Sequence, residues 1–434
     1  MADVQAFRAF RYDLARVGNL SDVIAPPYDV IDAGLQQQLY DRSPYNVVRL
    51  ILNKETPQDS EADNRYTRSA RLLRDWEREN ILLQDSARCL YVYHQEFEVE
   101  GRRYTRKGVM ARVRLEKFGV GRIYPHEETL SGPKADRLKL FRATNMNLSQ
   151  IFGLFPDEND EVMSRLEASV GRALPLQATD HLGVVSKIWP IADGTVVSAV
   201  AGLLGPKPIF IADGHHRYET ALKYLEEKQQ TGEVRTDDHP ANFVLMMLVS
   251  MQDPGLVILP THRLVSNVGD LRAEDIRRLL GEHFTFETVG QGPAAAKEAW
   301  ENIESDGSQD LLGFGTVADG VWQTGRFKSP QVMDELAAEH SPSWRGLAVA
   351  VLQRLVLDKA LAGQTTPQCK YVHLLQEVND ATAAKQCQLA VLVPPATMQH
   401  VEEIAGNLEK MPPKSTYFYP KLLSGLLFHS LTHV

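Results

Sequence analysis

Residues 208–219 read PIFIADGHHRYE, and the fold turns on how this stretch is read. Ile209-Phe210-Ile211 is a short apolar run of the kind that forms a buried strand. Ala212-Asp213-Gly214 ends it, and helix formers follow from about Arg217 to Lys228. Asp213, Gly214, His215, His216 and Arg217 therefore stand where a strand becomes a helix. A helix N-terminus leaves backbone N–H groups unpaired and carries about half a positive charge. A glycine just before it lets a phosphate approach the backbone closely. Arg217 adds a planar fork suited to phosphate, at a place where it opposes the helix dipole. Three readings fit: a phosphate cradle, a metal site built on the histidines and Asp213, and a plain turn capped by Asp213. Adjacent histidines on one helical turn point apart, which counts against the metal.

The chain around this stretch reads as mixed α/β. Helical spacing marks residues 66–79, 136–144 and 195–204. Residues 89–97 and 104–115 read as strands joined at the turn signal Glu100-Gly101. Residues 184–190 read as another strand, and 242–251 (NFVLMMLVSM) as a central one, too short to cross a membrane. Strands at 255–259 and 370–375, with helices near 347–357 and 398–408, suggest a second α/β unit. The polar loop 228–240 is the best boundary. It divides an N-terminal segment (1–84), a core (85–232) and a C-terminal α/β domain (241–434).

A second constellation lies upstream, in GRIYPHEETLSGPKAD at 121–136. Residues 113–118 read as the strand before it. His126 stands beside Glu127 and Glu128, and Thr129 follows. Paired carboxylates raise each other's proton affinity, which suits general-base work; an exposed acidic loop is the alternative. Lys134 and Arg137 come next, placed to meet phosphate oxygens. They belong to a basic stretch, residues 101–142, with 12 Lys+Arg against 4 Asp+Glu. That is either a solvated face or a basic rim that attracts an anion. His262 and Arg263 follow a strand, at the end where α/β sheets bind ligands. Near the C-terminus, Lys414, Ser415 and Lys421 crowd into a Pro-bounded segment. It contacts phosphate or a carboxylate substrate if it folds back, and otherwise is an aromatic stretch packed on the core.

Bulk properties narrow the classes. The 434 residues carry a net charge of −9, which gives no invitation to nucleic acid. No apolar run reaches membrane length, and the N-terminal residues lack a signal-peptide stretch. Three scattered cysteines fit a reducing compartment, so a cytoplasmic location is expected. There is no G-x-x-x-x-G-K-[ST], HExxH, CxxC or G-x-S-x-G, which argues against a P-loop kinase, a zincin and an α/β-hydrolase.

The 208–219 segment resembles box II of the ParB/sulfiredoxin superfamily, a strand, Gly-x-x-Arg and a helix that binds nucleotide phosphates. The 121–136 segment lies where box I does. The DGHHR form looks most like the free serine kinases, which move a phosphoryl group from a nucleotide to L-serine. Sulfiredoxins have a reactive cysteine where this chain has His215 and His216. The resemblance implies a ParB/sulfiredoxin-like nucleotide-binding core with added N- and C-terminal elements, ATP or ADP as donor, and Mg²⁺. It implies Glu127 as base, with Glu128 the rival and His126 beside it. Asp213 would position Mg²⁺ or a histidine, and Gly214 to Arg217 would hold phosphates. Nucleotide and a small substrate are the partners implied, and a homodimer is left open. The other readings are a ParB-like nucleotide switch and a metal-dependent phosphohydrolase.

More of the chain resembles a widespread bacterial and archaeal family of uncharacterised proteins. The shared segments are APPYDVI at 25–31, SPYNVVRL at 43–50, PHEETLSGPKADRLKLFRATNMNLSQIFGLF at 125–155 and ADGHHRYETAL at 212–222. ILPTHRL at 258–264 and MPPKSTYFYPKLLSGLLFH at 411–429 complete the set. That resemblance implies no activity.

Overall fold

In the computed structural model, which describes residues 1–128, 131–363 and 366–432, nine of the strands up to residue 250 gather in one mixed sheet. They are β1 (Val4–Gln5), β2 (Leu90–Val99), β3 (Arg102–Arg114), β4 (Ile123–Tyr124), β5 (Ile151–Phe155), β6 (Leu176–Thr179), β7 (Val185–Ile191), β8 (Ile209–Asp213) and β9 (Phe243–Ser250). The order is β4-β8-β5-β9-β3-β2-β7-β6, with β1 paired to β3. The β2–β3 hairpin closes on Glu100 (φ 49°) and Gly101 (φ 77°), the paired positive φ angles of a tight primed turn. Strand β9 is buried at every position because β5 and β3 flank it and both its faces are covered, so its residues do not alternate. Strands β4 and β8 run parallel, with Tyr124 opposite Phe210.

The helices of this unit include α1 (Arg65–Arg78), α2 (Ser131–Thr144), α3 (Gly194–Leu204) and α4 (His215–Gln230). Asn64 caps α1 and Thr67 returns the bond, a full capping box. Helix α2 packs on α4.

The chain falls into two compact units: 1–125, 129–257 and 420–434 form the first, and 126–128 with 258–419 the second. The division thus differs from the expected one at 228–240. That loop leads directly into β9, the middle of the first unit's sheet, so it is an internal connection. Residues 1–84 are likewise part of this unit, since β1 joins the sheet and Phe7 bridges to Cys89. Chain from 420 onward returns into it: Ala25 bridges Ser424, Phe10 bridges Phe428, and His429 pairs with Asn147. Gly425, at φ 96°, makes the bend, and a Cβ there would sit 3.1 Å from Val47 Cγ1.

The second unit is built on an antiparallel sheet of β10 (His262–Ser266), β11 (Phe284–Gln291), β12 (Leu311–Thr316), β13 (Val321–Phe327), β14 (Gln368–Val372) and β15 (Leu389–Leu392). The order is β11-β13-β12-β15-β10-β14. Helices α5 (Ala273–Leu280), α6 (Gly292–Asp306), α7 (Leu375–Ala383) and α8 (Met398–Gly406) belong to it. Trp300 and Ile303 of α6 pack with Leu264, Ala390 and Leu392 in its core.

Two local expectations shift. Strand β3 ends at Arg114, and residues 113–118 do not lead straight into PHEET. Gly119 takes a positive φ, Val120 N–H turns back to the Lys117 carbonyl, and Glu116 accepts from Arg122 N–H, so a loop precedes the short β4. The strand expected at 370–375 is Gln368–Val372, with helix α7 starting at Leu375. Among the described residues no helix is long and apolar enough to cross a membrane.

Candidate functional site

At the end of β8 the pairing slips: Ile211 lies opposite Gly153 but Asp213 opposite Phe152. Gly214 then takes φ 93° and ψ 24°, and α4 begins at His215, two residues before the expected start. Gly214, as the N-cap residue, has no side chain to cap the helix. Asp213 Oδ2 accepts from Arg217 Nη2 at 2.7 Å, and its Oδ1 from Lys421 Nζ at 2.5 Å. Arg217 Nη1 donates to the Gln150 carbonyl. The guanidinium lies back across Gly214, where a Cβ would come within 3.0 Å of Nη2. Glycine is thus required twice, for its left-handed backbone and for the room it leaves. The arginine that opposes the dipole finds its counter-charge in Asp213, so its placement alone does not call for an external anion. His215 is buried and His216 half-buried.

Lys421 is brought to this turn by the returning C-terminal segment. Arg106, fully buried, donates to the Pro420 carbonyl at 2.5 Å and to the Gln95 side chain. Burial pushes its guanidinium down to about 10, partly countered by Tyr93, Asp253 and Asp213. Gln150 Nε2 holds the Leu423 carbonyl at 3.0 Å. Sequence reasoning singled out neither Arg106 nor Gln150; a lone Arg in a strand and a Gln in NLSQ carry no local signal.

On α2, Lys134 pairs with Glu219 of α4 at 2.8 Å. Arg137 donates to the Ile51 carbonyl, pairs with Asp136 and lies 3.9 Å over the Tyr28 ring. Burial alone would raise Asp136, but Arg137, Tyr66 and Arg65 outweigh it and hold its carboxyl below the usual range. Both cations expected at phosphate oxygens thus have carboxylates of their own unit. The basic stretch behaves likewise: Lys107, Arg112, Arg114 and Arg142 pair with Glu167, Asp238, Asp3 and Glu227. It is in large part a set of ion pairs with acids from elsewhere in the first unit.

In the second unit, His126-Glu127-Glu128 is joined to residues 411–416. Met411 N–H donates to the His126 carbonyl at 2.7 Å, and Glu127 and Met411 form a parallel bridge. Glu127 Oε1 accepts the Lys414 N–H at 2.7 Å, with Lys414 at φ 61°. The Thr416 hydroxyl lies 2.9 Å from His126 Nε2 and 3.5 Å from Glu127 Oε2. One arrangement satisfies all three groups: the imidazole N–H donates to the hydroxyl, and the hydroxyl donates to the carboxylate. His126 is fully buried, Glu127 half-buried and Glu128 exposed, so the two glutamates are sharply distinguished. Thr416 was legible only as one hydroxyl among several in KSTYFYPK. Thr129 lies outside the described residues.

The other expected contacts divide. Arg263, almost wholly buried, donates to the Lys414 carbonyl at 3.0 Å and sits over Tyr371, so it braces the loop that holds Glu127. Burial lowers its proton affinity, against Tyr371, Cys369 and Glu127. His262 is a packing residue. It accepts the Val393 N–H at 3.2 Å and stands edge-on to Trp300. Burial, reinforced by His373 and Arg263, pushes it down to about 3, so it stays neutral. Ser415 is buried, with its hydroxyl on the Pro412 carbonyl, while Lys414 is exposed.

As a metal site the fit is poor. Both Asp213 oxygens take cationic side chains, and among the described residues no group of three or more His, Cys, Asp or Glu is arranged to hold a metal ion.

A family model described as "Protein of unknown function (DUF1015)" matches residues 4–350. No curated protein matches. Among solved structures, a conserved hypothetical protein from Pyrococcus furiosus is 12% identical, covering 69% of this chain and 89% of its own, with a TM-score of 0.34. Free serine kinase in complex with AMP is 13% identical, covering 72% and 97%, at 0.33. SbnI with a C-terminal truncation, from Staphylococcus aureus, is 10% identical, covering 73% and 85%, at 0.34. Scores this low carry no activity across.

Proposed function

The chain belongs to the DUF1015 family of proteins of unknown function, and we propose that it is a nucleotide-dependent phosphotransferase acting on a small hydroxylated metabolite, with free L-serine the first acceptor to test. The turn after β8 carries this reading. It combines a left-handed glycine at the helix N-cap and two cations gathered on one aspartate. Such a turn suits nucleotide phosphates. Arg217 and Lys421 are poised to exchange part of their hold on Asp213 for phosphate oxygens. By the resemblance to the free serine kinases, Glu127 is the residue that takes the hydroxyl proton of the acceptor. Its carboxylate is fixed by the Lys414 amide and the Thr416 hydroxyl, with His126 orienting that hydroxyl. The sequence resemblance of the DGHHR and PHEET segments to the free serine kinases points the same way.

The test is a thermal-shift panel of ATP, ADP and other nucleotides, with and without Mg²⁺ and L-serine. Nucleotide at a hundredfold over its Kd adds about 2.7 kcal/mol of stability, an easily read rise in Tm. Serine is expected to add a further shift when nucleotide is present. No shift with any nucleotide overturns the proposal. A nucleotide shift with no response to any hydroxylated metabolite assigns the turn to a switch instead.

A further inference from the structure

Away from the Gly214 turn, the first unit has a cavity of about 140 Å³ between the chain after β1, the start of β9 and the C-terminal segment. Arg8, Arg88 and Arg112 line it, together with His429, Ser430 and Thr432. Arg112 projects from β3 with its side chain only 5% exposed. A guanidinium that deep needs full compensation. It donates to Gln5 Oε1 and to Asp238, but Asp238 is 57% exposed and is shared with Arg88. Among the described residues no carboxylate pairs with Arg8, whose Nε donates to the Asp85 carbonyl. Three guanidiniums thus share one paired carboxylate, Asp238, while Asp3, the other acid that acts on Arg112, is itself paired with Arg114, in a chain of net charge −9. His429 adds no charge: burial, with Arg112 beside it, pushes it down to about 3.

We propose that this cavity is a second anion site, taking a phosphate group at Arg8, Arg88 and Arg112. Its volume is well below the roughly 300–1,000 Å³ of pockets for drug-sized ligands, so a compact group fits and a whole nucleotide does not. Planar guanidinium forks grip a tetrahedral oxyanion two oxygens at a time. None of the lining residues belongs to the Gly214 turn, so this site stands or falls independently of the phosphotransferase reading.

The test is calorimetric titration of the whole protein with inorganic phosphate, and separately with malonate. It compares wild type, the double variant R8Q/R88Q and the single variant K421M. R8Q/R88Q changes two exposed side chains, so the fold is expected to survive, and its Tm checks this. The expected result is a phosphate-binding event weakened about tenfold or more in R8Q/R88Q, kept in K421M, and weaker at high salt. No phosphate binding, binding unchanged in R8Q/R88Q, or binding lost only in K421M would each overturn the site. Malonate binding tighter than phosphate overturns the choice of anion.

Discussion

Asp213 ends strand β8 and Glu127 comes three residues after β4 in the sequence, and they are held in different ways. Asp213 is gripped by side-chain cations, Arg217 and Lys421. Glu127 is held by a backbone amide and a hydroxyl. A carboxylate between two cations binds a proton poorly and serves as an anchor. The Arg263 guanidinium, which braces the same loop, also feels the Glu127 charge. The proposed function gives charge handling to the first and proton handling to the second, and each proposed role can be broken separately.

The largest expected effect is on chemistry. Glu127→Gln should lower product formation by about 10²- to 10⁴-fold, with nucleotide affinity within about twofold. Glu128→Gln, at the exposed position, should change neither by more than about twofold. Equal losses in both variants would erase the distinction between the glutamates. On stability, Asp213→Ala strands Arg217 and Lys421, both largely buried, and should cost about 3 kcal/mol in denaturant unfolding. Lys421→Met leaves the Arg217 pair intact and should cost clearly less; equal costs would mean that Lys421 does most of the anchoring. Gly214→Ala combines left-handed strain with the guanidinium contact, and about 1–2 kcal/mol is expected. Thr416→Val removes the hydroxyl between His126 and Glu127. About 1 kcal/mol of stability should be lost, along with a displaced pH–rate profile; a stability loss with an unmoved profile would make Thr416 purely structural.

The buried histidines sharpen the same comparison by pH. His262 and His429 are held neutral, each pushed down to about 3 from an ordinary 6.5. Protonation therefore favours the unfolded chain. Their contribution is fully present above about pH 6.5 and is lost as pH falls toward 3, at up to about 1.4 kcal/mol per pH unit for each. Unfolding midpoints at pH 7 and 5 should differ accordingly, and His262→Gln should reduce the difference. A midpoint independent of pH would show that these rings reach solvent.

Much of this was legible in the sequence, and what was not has physical causes. The strand–Gly214–helix junction, the β2–β3 hairpin and the buried β9 follow from apolar runs and turn residues that act locally. The fold-back of Lys421 was legible only as an open question, because pairing across more than two hundred residues leaves no periodic trace. Arg217 looked misplaced because it opposes the helix dipole; its counter-charge, Asp213, is local, but the Gln150 carbonyl that fixes it is not. His262 looked like a ligand because it follows a strand; burial beside Trp300 makes it a packing residue. The unit division was misplaced because polar composition marks a surface loop equally well inside a unit and between units.

Phosphoryl transfer itself is read by ³¹P NMR of wild-type protein incubated with ATP or ADP, Mg²⁺ and a panel of hydroxylated metabolites led by L-serine. The expected result is a new phosphomonoester resonance, O-phosphoserine if serine is the acceptor, that is absent with Glu127→Gln. Nucleotide that binds and stays intact with every acceptor, or turns over to inorganic phosphate regardless of acceptor, would contradict a phosphotransferase.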